Sequence, residues 1–256
     1  VANVGGNLVL TGGGSLAVFS AATNVAGGTP EYGALVSVTN SIVIGSGSHL
    51  YPYSHPLNGG SVHVRARSVT VSAGGFINAT GKGFAGAPGA GYGFGPGGGG
   101  PYGNYSRGGG YGGMGGGGLS YVFGGPVYGC ASNPVEPGSG SGNYVGGAGG
   151  GLVTVRASEN MAVNGALCAD AGSSGGSGGG IAVACRTFSG TNGILSAAGA
   201  AGGGPHPGSG GGGRIAIAYD TGLQTAAAVS GMTFNAAQGA NVQHPGDLGT
   251  VYFADT

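Results

Sequence analysis

The sequence predicts an all-β fold: a single-stranded parallel β-helix (β-solenoid) with long glycine-rich loops packed against it. Three observations carry that expectation. Four segments repeat one pattern, Gly60-SVHVRARSVTVSAGGFINATG, Gly151-LVTVRASENMAVNGALCADAG, Gly180-IAVACRTFSGTNGILSAAG and Gly213-RIAIAYDTGLQTAAAVSGMTFNAAQG. Each opens with glycine and then alternates apolar with small or polar residues, at Val62/Val64/Ala66, Val153/Val155/Ala157, Ile181/Val183/Cys185 and Ile215/Ile217/Tyr219. Such period-two alternation of β-branched residues marks a strand with one buried face. Finally, no stretch holds apolar residues at i, i+3, i+4 and i+7 over two turns without a glycine inside it, so helix is set aside.

Each segment takes a second short apolar step and closes on apolar-x-Ala followed by glycine: Ile77-Asn78-Ala79, Leu167-Cys168-Ala169, Leu195-Ser196-Ala197 and Phe234-Asn235-Ala236. Val153 and Ile181 are 28 residues apart, Ile181 and Ile215 are 34 apart. Two or three strands joined by turns, recurring at that period, make one coil of a parallel β-helix. A β-sandwich is the alternative, and it requires hairpin turns and alternating strand partners.

Read in order, residues 1–256 form one domain. Residues 1–34 are a candidate N-terminal capping or strand-exchange segment and include a degenerate copy, Leu8-VLTGGGSLAVFS. A second degenerate copy is Leu35-VSVTNSIVIGSGSHLY. At about 84–150 a Gly/Tyr-rich insertion interrupts the repeat. It is either a flexible linker or, the favoured reading, a set of extended, polyproline-II-like passes against the coil, with Tyr92, Tyr102, Tyr105, Tyr111 and Tyr121 as anchors. Shorter tracts, Gly172–Gly180 and Gly202–Gly213, fall between coils at the same phase. All three are expected to emerge at one edge of the stack and pack where close backbone approach excludes a β-carbon.

Composition narrows the function classes. Glycine supplies 69 of 256 residues and charged residues only 5%, yet 40% are hydrophobic, more than a disordered chain carries. Net charge is zero and no basic patch tracks phosphates, which argues against nucleic acid. No apolar run approaches the roughly 20 residues of a membrane span. So few charges give weak colloidal repulsion, which fits a protein that is glycosylated or built to assemble.

Chemistry-bearing residues are sparse. The acids, Glu31, Glu136, Glu159, Asp170, Asp220, Asp247 and Asp255, are never closer than eight residues and read as turn residues. His206 and His244 sit in turn-like Pro-His-Pro and His-Pro contexts, His49 and His55 flank Tyr51-Pro52-Tyr53, and His63 alternates outward from its strand. No nucleophile elbow, phosphate loop or metal-ligand spacing accompanies them, so no catalytic residue, metal or cofactor is assigned. Arg65 and Arg156 occupy equivalent exposed places, expected either to be separated or covered by the insertion or to flank an anion or an acid such as Glu159. Cys185 takes an inward place and is expected to be a buried thiol. Cys168 takes an outward one, which makes Cys130 of the insertion its better disulfide partner. Asn78 and Asn104 open N-glycosylation sequons.

Taken together, Ala73-GGFINATGKGFAG, the Gly-Gly-Gly-hydrophobic strand starts and Gly210-GGGRIAIAYD with a later Gly249-TVYF resemble glycine-rich parallel β-helix repeat proteins of large secreted or cell-surface polypeptides. The likeness runs from about Leu35 onward, and the first thirty or so residues depart from it. It implies an extracellular, adhesin-like or fibril-forming β-helix and carries no catalytic residues. The leading expectation is therefore a structural, self-assembling subunit, extracellular or on the cell surface, joined head to tail through terminal strands at Val1, Leu8, Leu10, Val251 and Phe253. A carbohydrate-binding module using Tyr92, Tyr102, Tyr105 and Tyr111 is the second expectation, and a polysaccharide-active enzyme the third.

Overall fold

β-Branched and leucine residues at every second position stand on one side of each short strand, and glycine-rich turns end the strand before the pattern can drift. The computed structural model describes residues 1–22, 32–102, 105–118, 123–143, 146–203, 208–224, 229–240 and 245–254. Among them no α-helix occurs. A first rung consists of β1 (Ala2–Val4), β2 (Leu8–Leu10) and β3 (Ser15–Phe19), a second of β4 (Ala34–Val38), β5 (Ser41–Ile44) and β6 (His49–Tyr53). The third is β7 (Val62–Ala66), β8 (Ser68–Val71) and β9 (Phe76–Asn78). The insertion carries one short antiparallel pair, β10 (Pro101–Tyr102) and β11 (Tyr105–Ser106). The repeat then resumes with β12 (Leu152–Ala157), β13 (Asn160–Val163) and β14 (Ala166–Cys168). After these come β15 (Gly180–Ala184), β16 (Thr187–Ser189) and β17 (Ile194–Ser196), and finally β18 (Arg214–Ala218), β19 (Thr233–Asn235) and β20 (Thr250–Phe253).

Successive strands are dealt to three parallel sheets. A seven-stranded sheet runs β1-β4-β7-β12-β15-β18-β20, a five-stranded one β16-β13-β8-β5-β2 and a six-stranded one β19-β17-β14-β9-β6-β3. Every pairing within these sheets is parallel, so the antiparallel neighbours of a sandwich are not found. Register follows the sequence pattern. Val153 pairs with Ile181 and Ile181 with Ile215, so the unequal spacings lie wholly in the turns. Ile77, Leu167, Leu195 and Phe234 form one column, the first three with no exposed surface. The alanines that close the segments, Ala79, Ala169 and Ala197, are equally buried. In the N-terminal segment, Leu8 pairs with Ile42 and Leu16 with Leu50, so Ala2–Phe19 is a rung like the others.

The insertion leaves the ladder undisturbed. β7, in the rung that precedes it, and β12, the first strand after it, are neighbours, with Val64 opposite Val155 and Arg65 opposite Arg156. Its residues pack instead with the other glycine tracts in a lattice of extended passes. Along one pass the bonds go to a different neighbour each time: Gly108 N–H donates to Gly116 O, Gly109 to Gly175 O, Gly110 to Gly97 O and Gly112 to Gly212 O, at 2.8–3.0 Å. A sheet strand has two in-plane neighbours; here the bonding runs in several directions. That requires backbones closer than any side chain permits. A β-carbon on Gly109 would lie 2.5 Å from Ser139 O, and one on Gly140 2.0 Å from Ala85 O. The expected packing of the three tracts at one edge is what the chain adopts.

Candidate functional site

Tyr111 and Tyr128 fasten the lattice to the seven-stranded sheet, and they do so through Arg214, the first residue of β18. Their rings lie 4.7 Å apart, and the Arg214 guanidinium sits 5.4 Å from the Tyr111 ring centroid. Arg214 Nε and Nη2 donate to Tyr128 O at 3.0 and 2.7 Å, Nη2 also to Tyr111 O at 3.4 Å, and Nη1 to Thr250 Oγ1 at 3.2 Å. The guanidinium is thus satisfied by carbonyls in a nearly dry place, a use suited to its fork of donors. Burial pushes both phenols well above the ordinary tyrosine value. Tyr111 is therefore an anchor and not a glycan contact, since none of its surface reaches solvent. Sequence reasoning missed Arg214; its signal was a lone cation directly after a run of glycines.

The remaining tyrosines divide. Tyr92 is 69% exposed and Tyr105 half-buried, while the Tyr102 side chain, Asn104 and Tyr121 lie outside the described residues. Asn78 sits at the end of β9 on the outer side of the six-stranded sheet, where its Oδ1 accepts from the Thr80 N–H at 2.9 Å.

The expected disulfide is not formed, and all three cysteines are free thiols. The physical reason is placement: Cys130 belongs to a loop whose next residues, Ser132–Val135, cover the outer face of the seven-stranded sheet, whereas Cys168 lies in the six-stranded one. The Ser132 hydroxyl beside it holds the Cys130 thiol below its usual pKa. Burial pushes Cys168 up to about 11 and Cys185 up to about 12. Cys185 points inward against the core, as expected, but is only half-buried.

Arg65 and Arg156 are direct ladder neighbours, so the insertion does not separate them. Arg65 stacks over the Tyr32 ring at 5.4 Å. The acid expected between the two arginines is elsewhere: Glu159 pairs with Arg186 across 3.9 Å, an exposed contact worth little. His63 does point away from the core, yet it is 1% exposed, because Tyr32 meets it edge-on and the 132–135 loop lies over the same face. The acids do structural work. Asp170 accepts from Ser196 Oγ at 2.6 Å and the Ala198 N–H at 2.7 Å, and Asp220 accepts from the Gly222 N–H at 3.0 Å. Glu31, His206, His244 and Asp255 lie outside the described residues. Among the described residues no group of three His, Cys, Asp or Glu is arranged to hold a metal, and no helix is long and apolar enough to cross a membrane.

The two ends of the stack differ. At the first rung the core-facing residues Val4, Leu8, Leu10, Leu16 and Val18 are only half-buried, whereas their second-rung partners Val38, Ile42, Ile44 and Leu50 are 0–4% exposed. Val1 is 82% exposed, and so is much of Val9 and Phe19. At the far end Val251, opposite Ile215, is 42% exposed, and Phe253 meets Phe234 edge-on at 5.0 Å. The edge of β16 is plugged by a side chain: Gln224 Oε1 accepts from Phe188 N–H at 2.8 Å and its Nε2 donates to Phe188 O at 2.7 Å, as a further strand would. No family model matches the chain, and no curated protein or solved structure matches it either.

Proposed function

We propose that the chain is a structural, extracellular β-solenoid whose copies stack end to end into a filament or matrix. The observation that carries this reading is the half-open first rung, in which five core-facing residues are covered on one side only while their second-rung partners are sealed. Its three strands are edge strands, and unpaired strand edges over an apolar surface recruit another chain unless blocked. A second copy presenting β20 and β19, the far edges of the seven- and six-stranded sheets, would meet β1 and β3 in parallel, head to tail. Contacts of that kind do not close on themselves, and filaments follow. Low net charge removes the repulsion that would oppose it. The half-exposed Asn78 sequon suits an extracellular setting, where a glycan can be carried without entering the core.

Negative-stain microscopy and sedimentation across a concentration series test the reading. Wild type is expected to form elongated particles that lengthen with concentration. Leu8→Glu, which puts a charge into the half-exposed end and not into the sealed core, should hold the protein monomeric with its strand content intact. Monodisperse globular monomers of the wild type at high concentration would overturn the proposal.

A further inference from the structure

A cavity of about 370 Å³ opens on the outer side of the six-stranded sheet, walled by Phe19, Tyr53, His55, Pro56 and Lys82. That volume is in the range of small-molecule sites. Its chemistry is lopsided: an aromatic wall, hydrogen-bond donors and no acid. Phe19 and Tyr53 stack with centroids 4.4 Å apart and planes 23° apart, and Phe19 remains 69% exposed. The Lys82 ammonium lies 4.8 Å from the Tyr53 centroid and 5.2 Å from that of Tyr51, and donates to Thr80 O at 3.2 Å. Ring faces and one carbonyl occupy part of its shell, but a lysine has three N–H donors. Among the described residues no carboxylate pairs with it. Partial burial lowers its pKa, the mark of an ammonium short of compensating charge. His55 adds a second donor: its Nδ1 accepts from the N–H groups of Leu57 and Asn58, at 3.4 and 3.2 Å, so in the neutral ring the proton sits on Nε2.

From this arrangement we propose that the cavity binds a carboxylate-bearing pyranose, a hexuronate unit of an acidic glycan. The carboxylate accepts from Lys82 and His55, and the apolar face of the sugar ring lies on the Phe19–Tyr53 wall. A carboxylate is acceptor-only and matches the two donors, Lys82 and His55, on a wall that carries no acid. Sugar C–H groups are weakly positive and meet the negative face of an aromatic ring. A neutral sugar would leave the ammonium uncompensated, and a simple anion would leave the rings unused. This site does not depend on end-to-end assembly, and it places glycan contact away from the tyrosines of the insertion.

Calorimetric titration of the full chain with sodium glucuronate and galacturonate, their short oligomers, glucose, galactose and sodium acetate tests it. Uronates are expected to bind at least about tenfold more tightly than the neutral sugars and acetate, as one charge-assisted contact added to ring stacking implies. Their affinity should fall as salt is raised, because the ammonium is only partly buried. Lys82→Met keeps the stem over the tyrosines and should abolish the uronate preference without moving the unfolding midpoint. Phe19→Ala should weaken uronates and neutral sugars alike. Equal binding of neutral sugars, equal binding of acetate, unchanged uronate affinity in Lys82→Met, or no uronate binding at all would each overturn the assignment.

Discussion

Replacing Gly178 by alanine tests whether the glycine lattice is structural. Gly178 is buried in the turn between β14 and β15, and its N–H donates at 2.9 Å to Gly211 O in the turn before β18. An added β-carbon would sit 2.0 Å from Ala197 O and 2.6 Å from the Gly213 nitrogen. Those two atoms are themselves bonded, Gly213 N–H to Ala197 O at 2.8 Å. Both obstructing atoms are backbone, so no rotamer change relieves the overlap; the passes must part by more than an ångström. Overpacking of this kind costs about 1–3 kcal/mol, and each backbone bond lost with it about 1 kcal/mol. A loss of about 3 kcal/mol is expected, which for a chain of this size lowers the melting midpoint by roughly 6–12 °C. Gly6→Ala is the control. Nothing lies within 4 Å of its β-carbon position and its φ is not left-handed, so it should be neutral or gain up to about 1 kcal/mol from a stiffer unfolded chain. Thermal and urea melts of both variants, followed by circular dichroism, read the difference. If Gly178→Ala melts together with Gly6→Ala, the lattice is slack and the close approaches contribute nothing.

Three further outcomes follow from the geometry. Leu167→Ala removes a side chain with no exposed surface from the middle of the Ile77–Leu167–Leu195 column and should cost about 2–5 kcal/mol in a urea melt. Arg214→Met keeps the bulk but strips the donors from the Tyr128 and Tyr111 carbonyls; about 2–4 kcal/mol should be lost, and limited proteolysis should cut first within residues 111–137. Iodoacetamide at pH 8 should label Cys130 well before the others, because thiolate fraction decides the rate: Cys130 is exposed with a lowered pKa, while Cys168 and Cys185 are raised to about 11 and about 12. Raising the pH toward 11 should bring Cys168 into reaction next; peptide mapping that finds Cys185 labelled first would contradict the placement.

The rungs were legible in the sequence because each obeys a local rule. Val153, Ile181 and Ile215 stand one residue or two after glycine in every copy, and parallel stacking of identical patterns puts them in register whatever the turn length between them. Side-chain direction was legible for the same reason, as the inward Cys185 and the outward His63 show. Exposure was not, because an outward side chain is buried when a distant segment lies over it. Tyr32 and the 132–135 loop bury His63, and nothing in the period of β7 records them. The tyrosines failed similarly. Tyr92 and Tyr111 have the same glycine-rich surroundings, yet one is exposed and the other sealed by Arg214, 103 residues away along the chain. The cavity beside Lys82 gathers residues from the turns after three different rungs, and no spacing along the chain marks it.

The glycine lattice also explains why a segment at about 84–150 can leave the stack between Arg65 and Arg156 without breaking their pairing. A loop of that length would ordinarily bring its own core or remain open to water, since its backbone N–H and C=O groups need partners. Here each pass finds partners on several sides among other glycine passes, and the shorter tracts at 172–180 and 208–213 supply the inner ones. Gly112 and Gly113 both donate to Gly212 O, and Gly211 donates back to Gly109 O. The insertion therefore docks on a surface that the coil's own turns already present, and its two ends leave the ladder as neighbours, the Gly83 N–H donating to Gly149 O at 2.9 Å and the Gly151 N–H to Ala79 O at 2.8 Å. Small hydroxyl side chains join the lattice, Ser139 Oγ accepting from the Gly97 N–H and Ser177 Oγ from the Ser139 N–H, and Tyr111 and Tyr128 tie it to the sheet over Arg214. A chain organised this way uses glycine where other proteins use a second hydrophobic core, and that is why so little of its length is charged while so much of it is buried.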